Sequence, residues 1–198
     1  ALPMAAAIAA MKAAFAELST GRAVVPLRVP LPVAAAEGLS LFMPAYLPSL
    51  GLGAKIVSVF PRNPALGRPM INGLVILLDP ATGEPAALCD GTFLTAWRTG
   101  AGAGAATDLL ARPDARVGAV IGCGAQARTQ ALAIDTVRAL DLIHVYAPTA
   151  AHVARFVAEV QPELKARLVA APSADAAVAE ADIICAATTP SRPVFDGR

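Results

Sequence analysis

The stretch 117-VGAVIGCGAQARTQALAI-134 decides how the rest of the chain is read. An apolar run from Val117 to Ile121 ends at a glycine-punctuated turn, Gly122-Cys123-Gly124, and gives way at Ala125 to a series of helix formers. Strand, glycine turn and helix in that order fit the pattern G-x-G-x-x-G/A. Gly122 would make the tight reversal, Gly124 would let the backbone approach a pyrophosphate at the helix N-terminus, and Ala127 stands where helix and strand pack closely. The competing reading is a glycine turn in a flavodoxin-like or methyltransferase-like sheet.

Outward from this turn toward the C-terminus, the period alternates. A helix is expected from about Ala125 to Leu140, a strand at 142-LIHVY-146 and a helix from about Thr149 to Val160. A strand at 167-RLVAA-171, a helix at 173-SADAAVAEA-181 and a strand at 182-DIICAA-187 complete the series. This βαβαβαβ order predicts a parallel sheet wound with helices, an α/β fold of Rossmann type. The run stops with fewer strands than a full doubly wound sheet has, so the chain is expected to be incomplete at its C-terminus.

Toward the N-terminus the style changes. Residues 28 to 89 give short apolar runs cut by Pro and Gly, with strands expected at 54-AKIVSVF-60, 74-LVILLD-79 and 86-AALC-89 and a turn at 79-DPATGEP-85. A helix is expected next over 90–111, capped by 90-DGT-92, and its glycines at 100, 102 and 104 suggest close packing against another backbone. A first helix, Pro3 to Leu18, carries Met4, Ile8, Met11 and Phe15 on one face. The expected division is a smaller α+β substrate-binding and dimerisation domain over 1–110 and a Rossmann-type dinucleotide-binding domain over 111–198.

Composition excludes several classes. Hydrophobic residues make up 56% of the 198 and the mean hydropathy is +0.59. Alanine dominates that count, however, and the longest uncharged apolar stretch, Gly38 to Ala54, is broken by Pro44, Pro48, Gly51 and Gly53. No membrane association is expected. The net charge is +1 and the basic residues are scattered, so no nucleic-acid footprint is present. Cys89, Cys123 and Cys185 are far apart, which suits a reducing, cytoplasmic compartment. His144 and His152 have no partners at metal-ligand spacing, so no metal site is expected. Cys123 sits where a helix N-terminus would lower its pKa, though a small packed residue is the plainer reading.

Three cations stand out in the apolar first half: Arg28 in 25-VPLRVP-30, Lys55 in 53-GAKIVSV-59 and Arg98 in 92-TFLTAWRTGAG-102. Each alone reads as a solvated surface charge. Converging, they would clamp a carboxylate, Arg by its planar fork and Lys as a point charge.

The order R (28), M-P (43–44), G-x-K (53–55), F-P-x-N (60–63), D-x-x-T-G (79–83), D-G-T-x-L-T-x-x-R-T-G-A (90–101), G-x-G-A-Q-A (122–127) and A-D-I-I-x-x-A-T (181–188) resembles the ornithine cyclodeaminase/mu-crystallin family. The resemblance runs over nearly the whole chain from about Gly21. It implies an NAD(P)-dependent enzyme acting on small amino or imino acids, with Arg28, Lys55 and Arg98 on the substrate carboxylate and Thr99, Gly122, Gly124, Ala125, Gln126 and Thr188 on the cofactor. It implies a homodimer paired through the sheet domain. It also implies further residues before Ala1 and a long segment after Arg198 that carries an aspartate assisting the chemistry.

Two positions refine the expectation. The carboxylate that binds a ribose 2′-hydroxyl should end the strand at 142–146, where Ala147 and Pro148 stand instead. NADP is therefore favoured slightly over NAD, with Thr149, His152 or Arg155 near the 2′-phosphate. In the diamine cyclodeaminases a glutamate two positions before M-P faces the substrate amine. Leu41 stands there in this chain, and an ammonium buried against leucine would cost several kcal/mol. The expected activity is reduction of small or cyclic α-imino acids, a ketimine reductase acting on Δ1-pyrroline-2-carboxylate or Δ1-piperideine-2-carboxylate, with Lys55 as the group nearest the chemistry. Ornithine cyclodeaminase, alanine dehydrogenase and a non-catalytic mu-crystallin-like binding protein are the alternatives.

Overall fold

The computed structural model describes residues 2–188, 190 and 192–197. The chain forms two compact units, one comprising residues 1–11 with 96–198 and the other residues 12–95. Two helices, α1 (Met4–Ser19) and α2 (Gly91–Leu110), each run from one unit into the other. The boundary expected at 110/111 falls at the C-terminal end of α2, whereas residues 96–110 belong to the same unit as residues 111–198.

The larger unit carries the parallel sheet. Strands β6 (Val117–Ile121), β7 (Leu142–Tyr146), β8 (Arg167–Ala170) and β9 (Ile183–Ala186) lie in the order β8-β7-β6-β9, all parallel, with Gly118 opposite both Ile143 and Ile183. Helices α3 (Ala125–Val137), α4 (Ala150–Val160) and α5 (Ala174–Val178) provide the crossovers. Val120, Ile143, Val145, Leu168, Ile183 and Cys185 project from one face of the sheet into a core shared with Ala127, Ala131 and Ile134 of α3 and Val153, Phe156 and Val160 of α4. The near-continuous apolar strands result from this burial, because a parallel strand covered by helices has little solvent side to encode.

Polar groups inside this unit hold backbone ends. The guanidinium of Arg138 is 9% exposed and donates to the carbonyls of Thr107, Asp108 and Ala111 at 2.8 to 3.1 Å, closing the C-terminal turn of α2. Asp135 accepts from the backbone N–H groups of Lys165 and Ala166. Asp182 accepts from the N–H groups of Arg116 and Val117 at 2.8 and 3.0 Å and pairs with Arg112. Those backbone donors, Arg116 first, hold the Asp182 carboxyl below the usual carboxylate range.

The smaller unit is an antiparallel meander, β1 (Val29–Val33), β2 (Gly38–Leu47), β3 (Gly51–Val59), β4 (Ile71–Leu78) and β5 (Pro85–Asp90), in sequential order. The sequence reading missed β1 and β2. Pro30 and Pro32 in β1 and Pro44 in β2 argue against strand, and β1 tolerates its prolines because it is an edge strand. The strand expected at 54–60 begins earlier, at Gly51, and the one expected at 74–79 begins at Ile71. The expected turn after β4 forms, with Asp79 Oδ1 accepting from Ala81 N and Gly83 at φ +77. The cap before α2 forms as well, Asp90 Oδ1 accepting from Thr92 N at 2.7 Å. Phe15 of α1, expected on the buried face with Met4 and Ile8, is 46% exposed. No helix among the described residues is long and apolar enough to cross a membrane.

Candidate functional site

In the parallel sheet the strand order reverses between β6 and β9, and a crevice at the carboxyl ends of such strands is where an α/β sheet receives ligands. The glycine turn stands there. Gly122 succeeds β6 at φ +116, and a Cβ on it would lie 2.4 Å from the carbonyl oxygen of Ala187, just past β9. Its N–H donates to Tyr146 O at 2.8 Å, and Ala187 N donates to Ile121 O at 2.8 Å. The turn is thus fastened to the ends of both neighbouring strands, and both the left-handed φ and the contact require glycine.

Gly124 is the N-cap of α3, in extended backbone, and a Cβ built on it would meet nothing within 4 Å. It carries no capping side chain, so the first-turn N–H groups at Ala125 and Gln126 have no intrahelical partner and stand at the positive end of the helix dipole. Gly124 and Ala125 are exposed and Gln126 is half-buried, whereas Ala127 is fully buried against the sheet. A pyrophosphate fits this arrangement: a clear approach at Gly124, unsatisfied donors behind it and a dipole of the right sign. Thr188 lies two residues past β9 and is exposed.

Beyond β7 the chain runs through half-buried Ala147 and exposed Pro148 to Thr149, the N-cap of α4, whose carbonyl accepts from His152 N and Val153 N. His152 and Arg155 are exposed on α4, and Arg155 reaches Glu159 at only 3.9 Å. No carboxylate stands among residues 146–149. Cys123, within the turn, is half-buried and packs against the core, as its plainer reading has it, and burial pushes its thiol up.

In the smaller unit, register places one of the three candidate cations, Lys55, on the central strands. Met43 pairs with Lys55, and Lys55 with Val75. Arg28 immediately precedes β1, whose first residue Val29 pairs with Phe42, the neighbour of Met43. Leu41, two residues from Met43, shares the face of Met43 and Lys55. Arg28 is exposed and Lys55 half-buried. Arg98 and Thr99 lie on α2 in the other unit, Arg98 exposed and Thr99 half-buried.

Several contributors were invisible in the sequence. The carbonyl of Ala187 against Gly122 is a backbone contact between segments far apart in the chain, and no residue type signals it. The hydroxyl of buried Thr129 donates to Ala96 O at 2.9 Å, joining α3 to α2.

The profile of the ornithine cyclodeaminase/mu-crystallin family matches residues 1–197. A Δ1-pyrroline-2-carboxylate reductase of Bacillus cereus is 39% identical over 183 residues, covering 92% of this chain and 56% of that protein. The structure of the Thermococcus litoralis Δ1-pyrroline-2-carboxylate reductase, in complex with NADH and L-proline, superposes with a TM-score of 0.92 at 40% identity, over 98% of this chain and 60% of that one. An archaeal alanine dehydrogenase dimer with bound NAD superposes with a TM-score of 0.89 at 32% identity, over 98% of this chain and 59% of that one. The chain therefore spans between 56% and 60% of the length of these relatives.

Proposed function

The chain belongs to the ornithine cyclodeaminase/mu-crystallin family, and from that premise we propose that the protein is an NAD(P)H-dependent reductase of small or cyclic α-imino acids, with Δ1-pyrroline-2-carboxylate as its first candidate substrate. The observation that carries this reading is the shared face of Lys55, Met43 and Leu41, with Arg28 just ahead of the neighbouring strand. A cation there suits an α-carboxylate, and the apolar neighbours give a side-chain ammonium no partner. The likeness to two pyrroline-2-carboxylate reductases supports the same choice.

In this reading Arg28, Lys55 and Arg98 hold the substrate carboxylate, which fixes the position of Cα and lowers the entropic part of the barrier. Lys55 also holds positive charge and a proton beside the imine nitrogen as that nitrogen becomes basic. Gly122, Gly124, Ala125 and Gln126 receive the pyrophosphate of the dinucleotide, with Thr99 and Thr188 as further contacts. When bound, the reduced nicotinamide supplies the hydride that Cα accepts. The absence of an acid after β7, with Thr149, His152 and Arg155 at hand, favours NADPH slightly over NADH.

Residues 1–110 serve in this proposal as the substrate-binding and dimerisation domain and 111–198 as the dinucleotide-binding domain. A homodimer is supported by the meander's other face, where Val29, Leu31, Phe42, Tyr46, Leu74 and Leu88 are all exposed. The cytoplasm is the proposed location, consistent with the three separate cysteines.

The test is an assay of the purified protein with NADH and NADPH against Δ1-pyrroline-2-carboxylate, Δ1-piperideine-2-carboxylate, and pyruvate with ammonia, and with NAD against ornithine. Imine reduction that exceeds the pyruvate reaction is expected, faster with NADPH. Release of ammonia from ornithine without any imine reduction overturns the proposal.

A further inference from the structure

Helix α2 carries Arg98 and Thr99, and α3 opens at the glycine turn, so the relation between these two helices within the larger unit bears directly on the site. They meet along a narrow seam. A Cβ at Gly100 would lie 2.4 Å from Thr129 O and 2.6 Å from Thr129 Cβ, and one at Gly104 would lie 3.1 Å from Ala133 Cβ. Residues 96, 100 and 104 recur every four positions along one stripe of α2, as 129 and 133 do on α3.

At the end of that seam nearest the site, the Thr129 hydroxyl donates to Ala96 O at 2.9 Å. Thr129 also lies 3.0 Å from Gln126 O, a bond within its own helix. Of these two bonds, only the one to Ala96 crosses between helices. Thr129 is 5% exposed, so water does not replace a lost partner there. At the far end of the seam Arg138, the C-cap of α3, already ties the helices by donating to the carbonyls of Thr107, Asp108 and Ala111. At the near end, packing of small residues against backbone fixes how close the helices come but not how they are aligned along their axes. A directional hydrogen bond to one carbonyl sets that alignment.

We infer that Thr129 is a positioning residue: through Ala96 O it aligns the N-terminal half of α2 against α3, the C-terminal half being held by Arg138, and so sets the place of Arg98 and Thr99 relative to the glycine turn. The inference rests on the proposed role of Arg98 at the substrate carboxylate and of the turn at the dinucleotide. Arg98 lies two residues from Ala96, about 200° around the helix, so a slip or rotation at the seam moves it directly. Thr129 touches neither ligand. Misplacement of reacting groups by about 1 Å costs on the order of a hundredfold in rate, so a partial loosening of the seam should cost about tenfold.

The experiment compares Thr129→Val, which keeps the shape and removes the hydroxyl, with Thr129→Ser, which restores the donor. For the purified protein it measures kcat/KM toward Δ1-pyrroline-2-carboxylate, Kd for NADPH by fluorescence, and amide hydrogen exchange over residues 97–101. Thr129→Val is expected to lower kcat/KM about tenfold, to raise Kd for NADPH by less than that through the displaced Thr99, and to speed exchange over 97–101, with Thr129→Ser close to the parent in all three. Unchanged kcat/KM in Thr129→Val, with only a lower Tm, overturns the inference. If the parent protein reduces no imino acid, the functional reading fails instead. The register pin is then judged by exchange alone, and unchanged protection over 97–101 in Thr129→Val overturns it.

Discussion

The two sheets of this chain are built from similarly apolar sequence and treat it in opposite ways. In the parallel sheet the apolar residues of one face are sealed under α3 and α4, and Ile143, Val145 and Val120 have no exposure at all. In the antiparallel meander most apolar residues stay partly open: every residue of β5 is exposed, and among the described apolar side chains of its strands only Val57 is buried. The first sheet carries its own core. The second presents two faces to other matter, one bearing Lys55 and the other an apolar surface. One sheet is sealed and the other open, and substitutions of equal size should separate them.

The largest separation is expected from truncation in the parallel core. Ile143→Ala should cost about 2–5 kcal/mol, read as a shift in the denaturation midpoint, because the side chain is sealed and its neighbours cannot collapse fully into the space. Next comes the turn. Gly122→Ala forces a side chain onto φ +116 and onto Ala187 O, at an expected cost of about 2–3 kcal/mol together with a loss of at least about tenfold in dinucleotide affinity. Stability lost with affinity retained would mean that the turn is scaffold alone.

A smaller effect is expected at Asp182. Its folded pKa is lowered, so its contribution is present above the pKa of the unfolded chain and disappears as pH falls through the folded value. Asp182→Asn should therefore flatten the acid limb of a stability–pH profile and leave its alkaline limb in place. An unchanged acid limb would assign the loss to other carboxylates. The smallest effect on the folded monomer is expected at Leu88→Ser in β5, within about 0.5 kcal/mol, since the side chain is already 68% exposed. The same change should weaken self-association measured by light scattering. A large loss of monomer stability instead would collapse the contrast between the sheets.

The contrast also explains which elements are legible in sequence. The limits of β6 and β7 can be taken directly from 117-VGAVI-121 and 142-LIHVY-146, because burial under helices turns a strand into an unbroken apolar word bounded by turn residues. The shorter α5 and the earlier end of α3 at Val137 lie within the usual fraying of helix ends. β1 and β2 were illegible for a physical reason. Half-exposed strands with proline at Pro30, Pro32 and Pro44 show neither clean alternation nor continuous apolarity. At the site, Gly122, Gly124 and Ala127 were readable because backbone geometry dictates their type. The shared face of Leu41, Met43 and Lys55 was not, since it depends on the pairing of β2 with β3.

One consequence of the way Gly122 is fastened concerns ligand thermodynamics. Its N–H is committed to Tyr146 O and its Cα rests against Ala187 O, so the turn cannot loosen without unzipping the ends of β7 and β9. The conformational entropy of this loop is given up when the sheet folds rather than when a phosphate arrives. An anion docking there meets an already frozen surface, and its affinity carries little ordering penalty.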